Sequence, residues 1–166
     1  MSSEVVQVIK VGIADINVAC PPSILRTSGL GSCVGIILYD RMLSIAGMAH
    51  IMLPSANVEK KSTENLAKYA DTAIDELVRR LINKGVSSYR LKAKIAGGAQ
   101  MFQFNTASDT MRIGSRNIKA VKEKLQNLKI PIEAEDVGGK NGRTIEFDPA
   151  TSVLRIRTVH KGEKMI

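Results

Sequence analysis

Residues 33–39 (CVGIILY) and 43–53 (LSIAGMAHIML) are two apolar runs separated only by Asp40-Arg41-Met42. Each is short for a helix and rich in strand-forming side chains, and the polar break between them is a turn signal, so the pair predicts a β-hairpin. Pro54 ends the second run because it cannot donate to a ladder. A hairpin brings like faces together, and here the more apolar faces are Val34, Ile36 and Leu38 on one strand and Leu43, Ile45, Ile51 and Leu53 on the other. Matching them places Cys33 and His50 together on the remaining face. A four-residue turn over 40–43 sets Cys33 directly opposite His50, with Cβ atoms about 4.5–5.5 Å apart, and a two-residue turn at 40–41 sets them diagonally, about 7–8 Å apart. The neighbours on that face, Gly35, Ala46 and Met48, are small or pliable and predict room for a substrate side chain.

The rest of the chain supplies strands and two long helices. Residues 4–11 and 13–19 read as strands, and SILRTSGLGS (23–32), after Pro21-Pro22, reads as a loop. A helix is predicted over 63–84, with Ser62 as N-cap, Gly85 as its stop and Leu66, Tyr69, Ala73, Ile74, Leu77, Val78, Leu81 and Ile82 on one stripe. Residues 89–96 alternate as a strand with a basic face. A second helix is predicted over 116–128, and IPIEAEDV, TIEF and SVLRIRTV read as a closing meander. There is no regular β-α-β alternation of a parallel doubly wound sheet. The expected class is α/β, one domain over residues 1–166 with largely antiparallel or mixed sheets and two long helices.

The 166 residues are 44% hydrophobic and 24% charged, with no Trp and two Cys. That excludes a disordered chain and a disulfide scaffold. No apolar run approaches the length of a membrane span. Glu4, Lys10 and Asp15 interrupt the first apolar stretch, which argues against a signal peptide and for a cytoplasmic address. The net charge is +8, and all of the surplus falls in residues 56–166, since residues 1–55 hold three basic and three acidic side chains. Such a surface suits an acidic partner. Nucleic acid is not the expected one, because only six Phe and Tyr are present and no basic-aromatic motif occurs.

A cysteine beside a histidine has a specific use. The thiolate is the nucleophile, and the imidazole takes its proton, protonates the departing amine and activates water against the thioester. The approach to Cys33, Ser28-Gly29-Leu30-Gly31-Ser32, is rich in glycine and offers backbone N–H groups at Gly31 and Ser32 as an oxyanion site. Thr27 and Ser28 are the nearest hydroxyls to orient the imidazole. Zinc bound by Cys20, Cys33, His50 and His160 is not expected, since no ligand pair has the short spacing such sites favour. No cofactor is expected either. The segment Gln100-Met101-Phe102-Gln103-Phe104 holds two of the three Phe beside a glycine break, which marks Met101, Phe102 and Phe104 as a candidate docking loop.

GLGSCVGIILYD followed by AGMAHIMLP resembles the signature of the CheD family, the chemoreceptor glutamine deamidases of bacterial and archaeal chemotaxis. IAGGAQMF (95–102), IGSRN (113–117) and DVGGKNGR (136–143) resemble further family blocks in the same order, so the likeness runs from about residue 8 to residue 158. The resemblance implies an α-β-β-α sandwich similar to the catalytic domain of the cytotoxic necrotising toxins. It implies hydrolysis of glutamine side-chain amides in methyl-accepting chemoreceptors, with Cys33 as nucleophile, His50 as base and Thr27 as third member of the triad. It also implies a second partner, CheC, a phosphatase of phosphorylated CheY, and with it the alternative that the chain acts chiefly as an adaptor regulating CheC.

Overall fold

A computed structural model describes residues 6–56, 65–101 and 112–166. Among these residues, ten strands form two five-stranded sheets: β1 (Val8–Lys10), β2 (Ile16–Ala19), β3 (Ile24–Leu30), β4 (Val34–Asp40), β5 (Ile45–Ile51), β6 (Lys92–Gly97), β7 (Ile132–Val137), β8 (Arg143–Asp148), β9 (Val153–Thr158) and β10 (Gly162–Met165). One sheet runs β1-β3-β8-β9-β10 and the other β2-β5-β4-β6-β7. Each is mixed, with one parallel pair (β1 with β3, β6 with β7) among antiparallel ones. Two helices, α1 (Ala70–Asn83) and α2 (Ile113–Asn127), complete the expected mixed α/β class.

The layers follow from which side chains point where. Even-numbered residues of β4, Val34, Ile36 and Leu38, pack with Ile74, Leu77 and Leu81 of α1 and Val121 and Leu125 of α2. Odd-numbered Ile37 and Tyr39 pack with Leu25, Ile145 and Phe147 of the other sheet. Both helices therefore lie on one side of the sandwich. Among the described residues, no helix covers the outer face of the β1-β3-β8-β9-β10 sheet, whose Arg26, Glu146, Arg155, Arg157 and Glu163 form ion pairs there. None of the described helices is long and apolar enough to cross a membrane.

Several expectations change in detail. The 23–32 loop is largely β3, which buries Leu25, Thr27 and Leu30. Its pattern is hidden because one extra residue lies between Thr27 and Leu30, where Gly29 has φ +71° and flips the alternation. The helix expected over 63–84 begins at Ala70 after a 3-10 turn at Leu66–Lys68, and Ser62 lies outside the described residues. The closing meander divides: β7 joins β6 in parallel, while β8, β9 and β10 belong to the opposite sheet. On the basic face of 89–96, Lys94 is buried and donates to the carbonyls of Ser152 (2.6 Å) and Ile166 (3.0 Å).

Candidate active site

The hairpin forms, with Gly35 opposite His50 and Asp40 opposite Ile45. Its turn is four residues, 41–44, one position later than expected. Asp40 explains the shift. Its Oδ1 accepts from the Met42 N–H at 2.8 Å, and its Oδ2 receives Arg90 Nε at 3.0 Å, so the carboxylate caps the turn while its backbone stays in the ladder. Cys33, one residue before β4, shares the Gly35 side of the strand and is diagonal to His50. The same-face relation stands, and the directly opposed register does not occur. The room expected on this face is also partly filled, since a Cβ on Gly35 would lie 2.7 Å from Ile145 Cδ1 and 3.3 Å from Leu30 Cδ1.

Three segments meet at the site. Thr27 comes from β3 in one sheet, His50 from β5 in the other, and residues 31–33 cross between them. Thr27 Oγ1 lies 2.7 Å from His50 Nδ1 and 2.7 Å from the carbonyl oxygen of Val11. A hydroxyl carries one proton, and a carbonyl can only accept. Thr27 therefore donates to Val11, and His50 Nδ1–H donates to Thr27. This proton count leaves Nε2 as the bare, basic nitrogen of the ring. It is buried and has no hydrogen-bond partner, so the Cys33 sulfur is not bonded to it in the resting geometry. Catalytic hydrogen bonds commonly tighten only when substrate is bound.

His50 is fully buried, and burial pushes its pKa down to about 4. Burial also pushes the Cys33 thiol up, opposed in part by its own backbone N–H. The resting pair at neutral pH is thus a thiol and a neutral imidazole. Cys33 is only partly buried, whereas His50 is fully buried. Ser32 and Gly31 are placed differently from one another. The Gly31 N–H donates to the Gly29 carbonyl at 3.1 Å and is unavailable to an oxyanion. Among the described residues, the N–H groups of Ser32 and Cys33 donate to no other residue.

Met101 is exposed at 48% and lies over the loop, its Cγ 3.3 Å from where a Gly31 Cβ would sit. Phe102 and Phe104 lie outside the described residues. Cys20 is exposed at the end of β2, and among the described residues no three potential metal ligands cluster. Two contributors were not anticipated. One is the Val11 carbonyl, which no side-chain pattern reveals. The other is Asn117 of α2, whose signal was present: a polar residue on the buried stripe Gly114, Asn117, Val121, Leu125.

A family model described as CheD chemotactic sensory transduction matches residues 52–158. The chain belongs to the CheD family. Among its CheD relatives is the chemoreceptor glutamine deamidase CheD of Halalkalibacterium halodurans, 62% identical over 159 residues, which are 96% of this chain and 98% of that one. The protein of the same name from Bacillus subtilis is 52% identical over 166 residues, the whole of both chains. These CheD relatives span the Thr27–His50 region that the family model leaves out. Among solved structures, the Bacillus licheniformis hypothetical protein YfiH is similar at TM-score 0.40 and 18% identity, over 68% of this chain and 46% of that one, too loose a likeness to bear on fold or function.

Proposed function

We propose that this CheD-family protein hydrolyses the side-chain amide of glutamines in methyl-accepting chemoreceptors, giving glutamate and ammonia by way of a Cys33 thioester. The observation that carries the reading is the Val11–Thr27–His50 chain of hydrogen bonds, which leaves a basic nitrogen on the face that Cys33 shares. As the thiol attacks the amide carbon, Nε2 takes its proton and the S–C bond forms. The imidazolium then gives that proton to the departing nitrogen, the C–N bond breaks and ammonia leaves. Water, deprotonated by Nε2, adds to the thioester, and collapse returns the thiol and releases glutamate. Thr27 holds the ring in one tautomer throughout. A neutral resting pair fits this sequence, because the base must lack a proton before each attack.

The receptor helices present acidic and amide side chains, which suits the basic surplus of residues 56–166. The chemistry takes place on their cytoplasmic part. CheC is the second proposed partner, and the exposure of Met101 above Gly31 supports a docking point beside the approach to Cys33. Incubation with a receptor cytoplasmic fragment, followed by peptide mass spectrometry, should show shifts of about +1 Da at particular glutamines, the mass difference between NH2 and OH, with the amide carbon attacked by the thiolate. Cys33→Ala should abolish them. Conversion by Cys33→Ala at the wild-type rate would remove the cysteine from the chemistry. Receptor signalling restored by that inactive variant would favour the adaptor reading.

A further inference from the structure

Asn117 is fully buried on α2 and uses both of its amide protons on the site. Nδ2 donates to the carbonyl of Ser32 and to the carbonyl of Met52, each at 2.9 Å. The first belongs to the loop that carries the nucleophile. The second follows the strand that carries the base. Turning the amide over would set Oδ1 against two carbonyl oxygens, so the orientation is fixed, even though it leaves Oδ1 buried without a partner.

Peptide planarity extends the effect of this bond. In a trans peptide the C=O and the next N–H point in opposite directions. Pinning the Ser32 carbonyl to Asn117 therefore turns the Cys33 N–H away from α2. Ala99 N–H donates to the Gly31 carbonyl at 2.8 Å and in the same way sets the direction of the Ser32 N–H. Among the described residues, the two N–H groups of this loop that donate to no other residue are the two whose carbonyl mates are held. Close approach of α2 makes this possible, since a Cβ on Gly114 would lie 2.5 Å from the carbonyl oxygens of both Gly98 and Ala99.

We infer that Asn117 is a positioning residue for an oxyanion hole formed by the N–H groups of Ser32 and Cys33. The inference rests on the deamidation reading above, because only acyl chemistry at Cys33 builds an oxyanion there. Preoriented donors act on the charge that develops in the transition state, so their loss lowers kcat and leaves substrate binding little changed.

The test compares wild type, Asn117→Ala and Asn117→Ser on a receptor fragment, with alkylation of Cys33 by iodoacetamide as a control. Alkylation displaces iodide and forms no oxyanion. Asn117→Ala should lower kcat about 100-fold, within the range for loss of one oxyanion donor, and leave KM and the alkylation rate within about threefold. Asn117→Ser, which keeps one donor, should recover about tenfold of that loss. Unchanged kcat in a folded Asn117→Ala protein overturns the inference, and so does an equal loss in deamidation and alkylation. If neither variant folds, Asn117 is a structural staple and the inference falls. An inactive wild type would instead overturn the deamidation reading.

Discussion

Thr27 and His50 lie in different sheets, 23 positions apart in the chain, yet Oγ1 and Nδ1 are 2.7 Å apart. The contact is buried, and its second link runs to Val11. Thr27→Val keeps the shape and removes the oxygen. It leaves the Nδ1–H and the Val11 carbonyl without partners, and each unmade buried hydrogen bond costs about 1–3 kcal/mol. Deamidation should fall at least tenfold as the ring loses its tautomer, while Thr27→Ser keeps most of both activity and stability. Ammonia release and urea unfolding measure the two effects.

The depressed pKa of His50 sets two pH dependences. The unfolded ring binds its proton near 6.5 and the folded one only at about 4, so the stability this difference confers is present above pH 6.5 and lost as pH falls toward 4. The loss is about 3 kcal/mol from this group. Between pH 7 and pH 4, wild type should therefore lose that much more in urea unfolding than His50→Asn. The acid limb of deamidation should fall with one proton near pH 4, well below an ordinary imidazole. Iodoacetamide labelling of Cys33 should rise on the alkaline side of the usual thiol range.

Two glycines separate backbone conformation from contact. Gly85 has φ +98° and open space around it, whereas Gly97 has φ +110° and a Cβ there would lie 2.3 Å from the Cys33 carbonyl oxygen. Gly85→Ala should cost about 1–2 kcal/mol, the strain of a left-handed residue, with activity retained. Gly97→Ala should cost more and displace Cys33, the proposed nucleophile, lowering kcat. Thermal unfolding and steady-state kinetics distinguish them.

Asp40 ties the turn to the 3-10 segment at Ser88–Arg90 through Arg90. Asp40→Ala should destabilise the protein by about 1–3 kcal/mol, since the turn N–H groups and the guanidinium lose their acceptor. Activity should persist in the folded fraction, because the register is also held by the packing of Val34, Ile36 and Leu38 against the helices.

The sheet face shared by Cys33 and His50 was legible from alternation alone, because a strand's period of two leaves only two choices. The register was not, since it depended on a carboxylate that caps a turn without leaving the ladder. β3 was obscured by the irregularity near Gly29, which puts Thr27 and Leu30 on the same side despite their odd spacing. The basic face of 89–96 was legible, but nothing in those residues shows that two distant carbonyls receive Lys94. Thr27 was suggested by nearness to Cys33 in the chain, but its bond to His50 requires two sheets to pack, which local pattern does not encode. Asn117 was visible as a polar interruption in an apolar stripe, and only three-dimensional contact gives it a role.

Because the hydroxyl and the ring it holds come from opposite leaves of the sandwich, the proposed turnover demands that the leaves be closed and in register. A sliding of one leaf by a single residue repeat, about 3.3 Å, would part them while leaving every strand intact. Catalytic output is therefore a more sensitive gauge of interior cohesion than secondary-structure content, and on gentle denaturation it should vanish first.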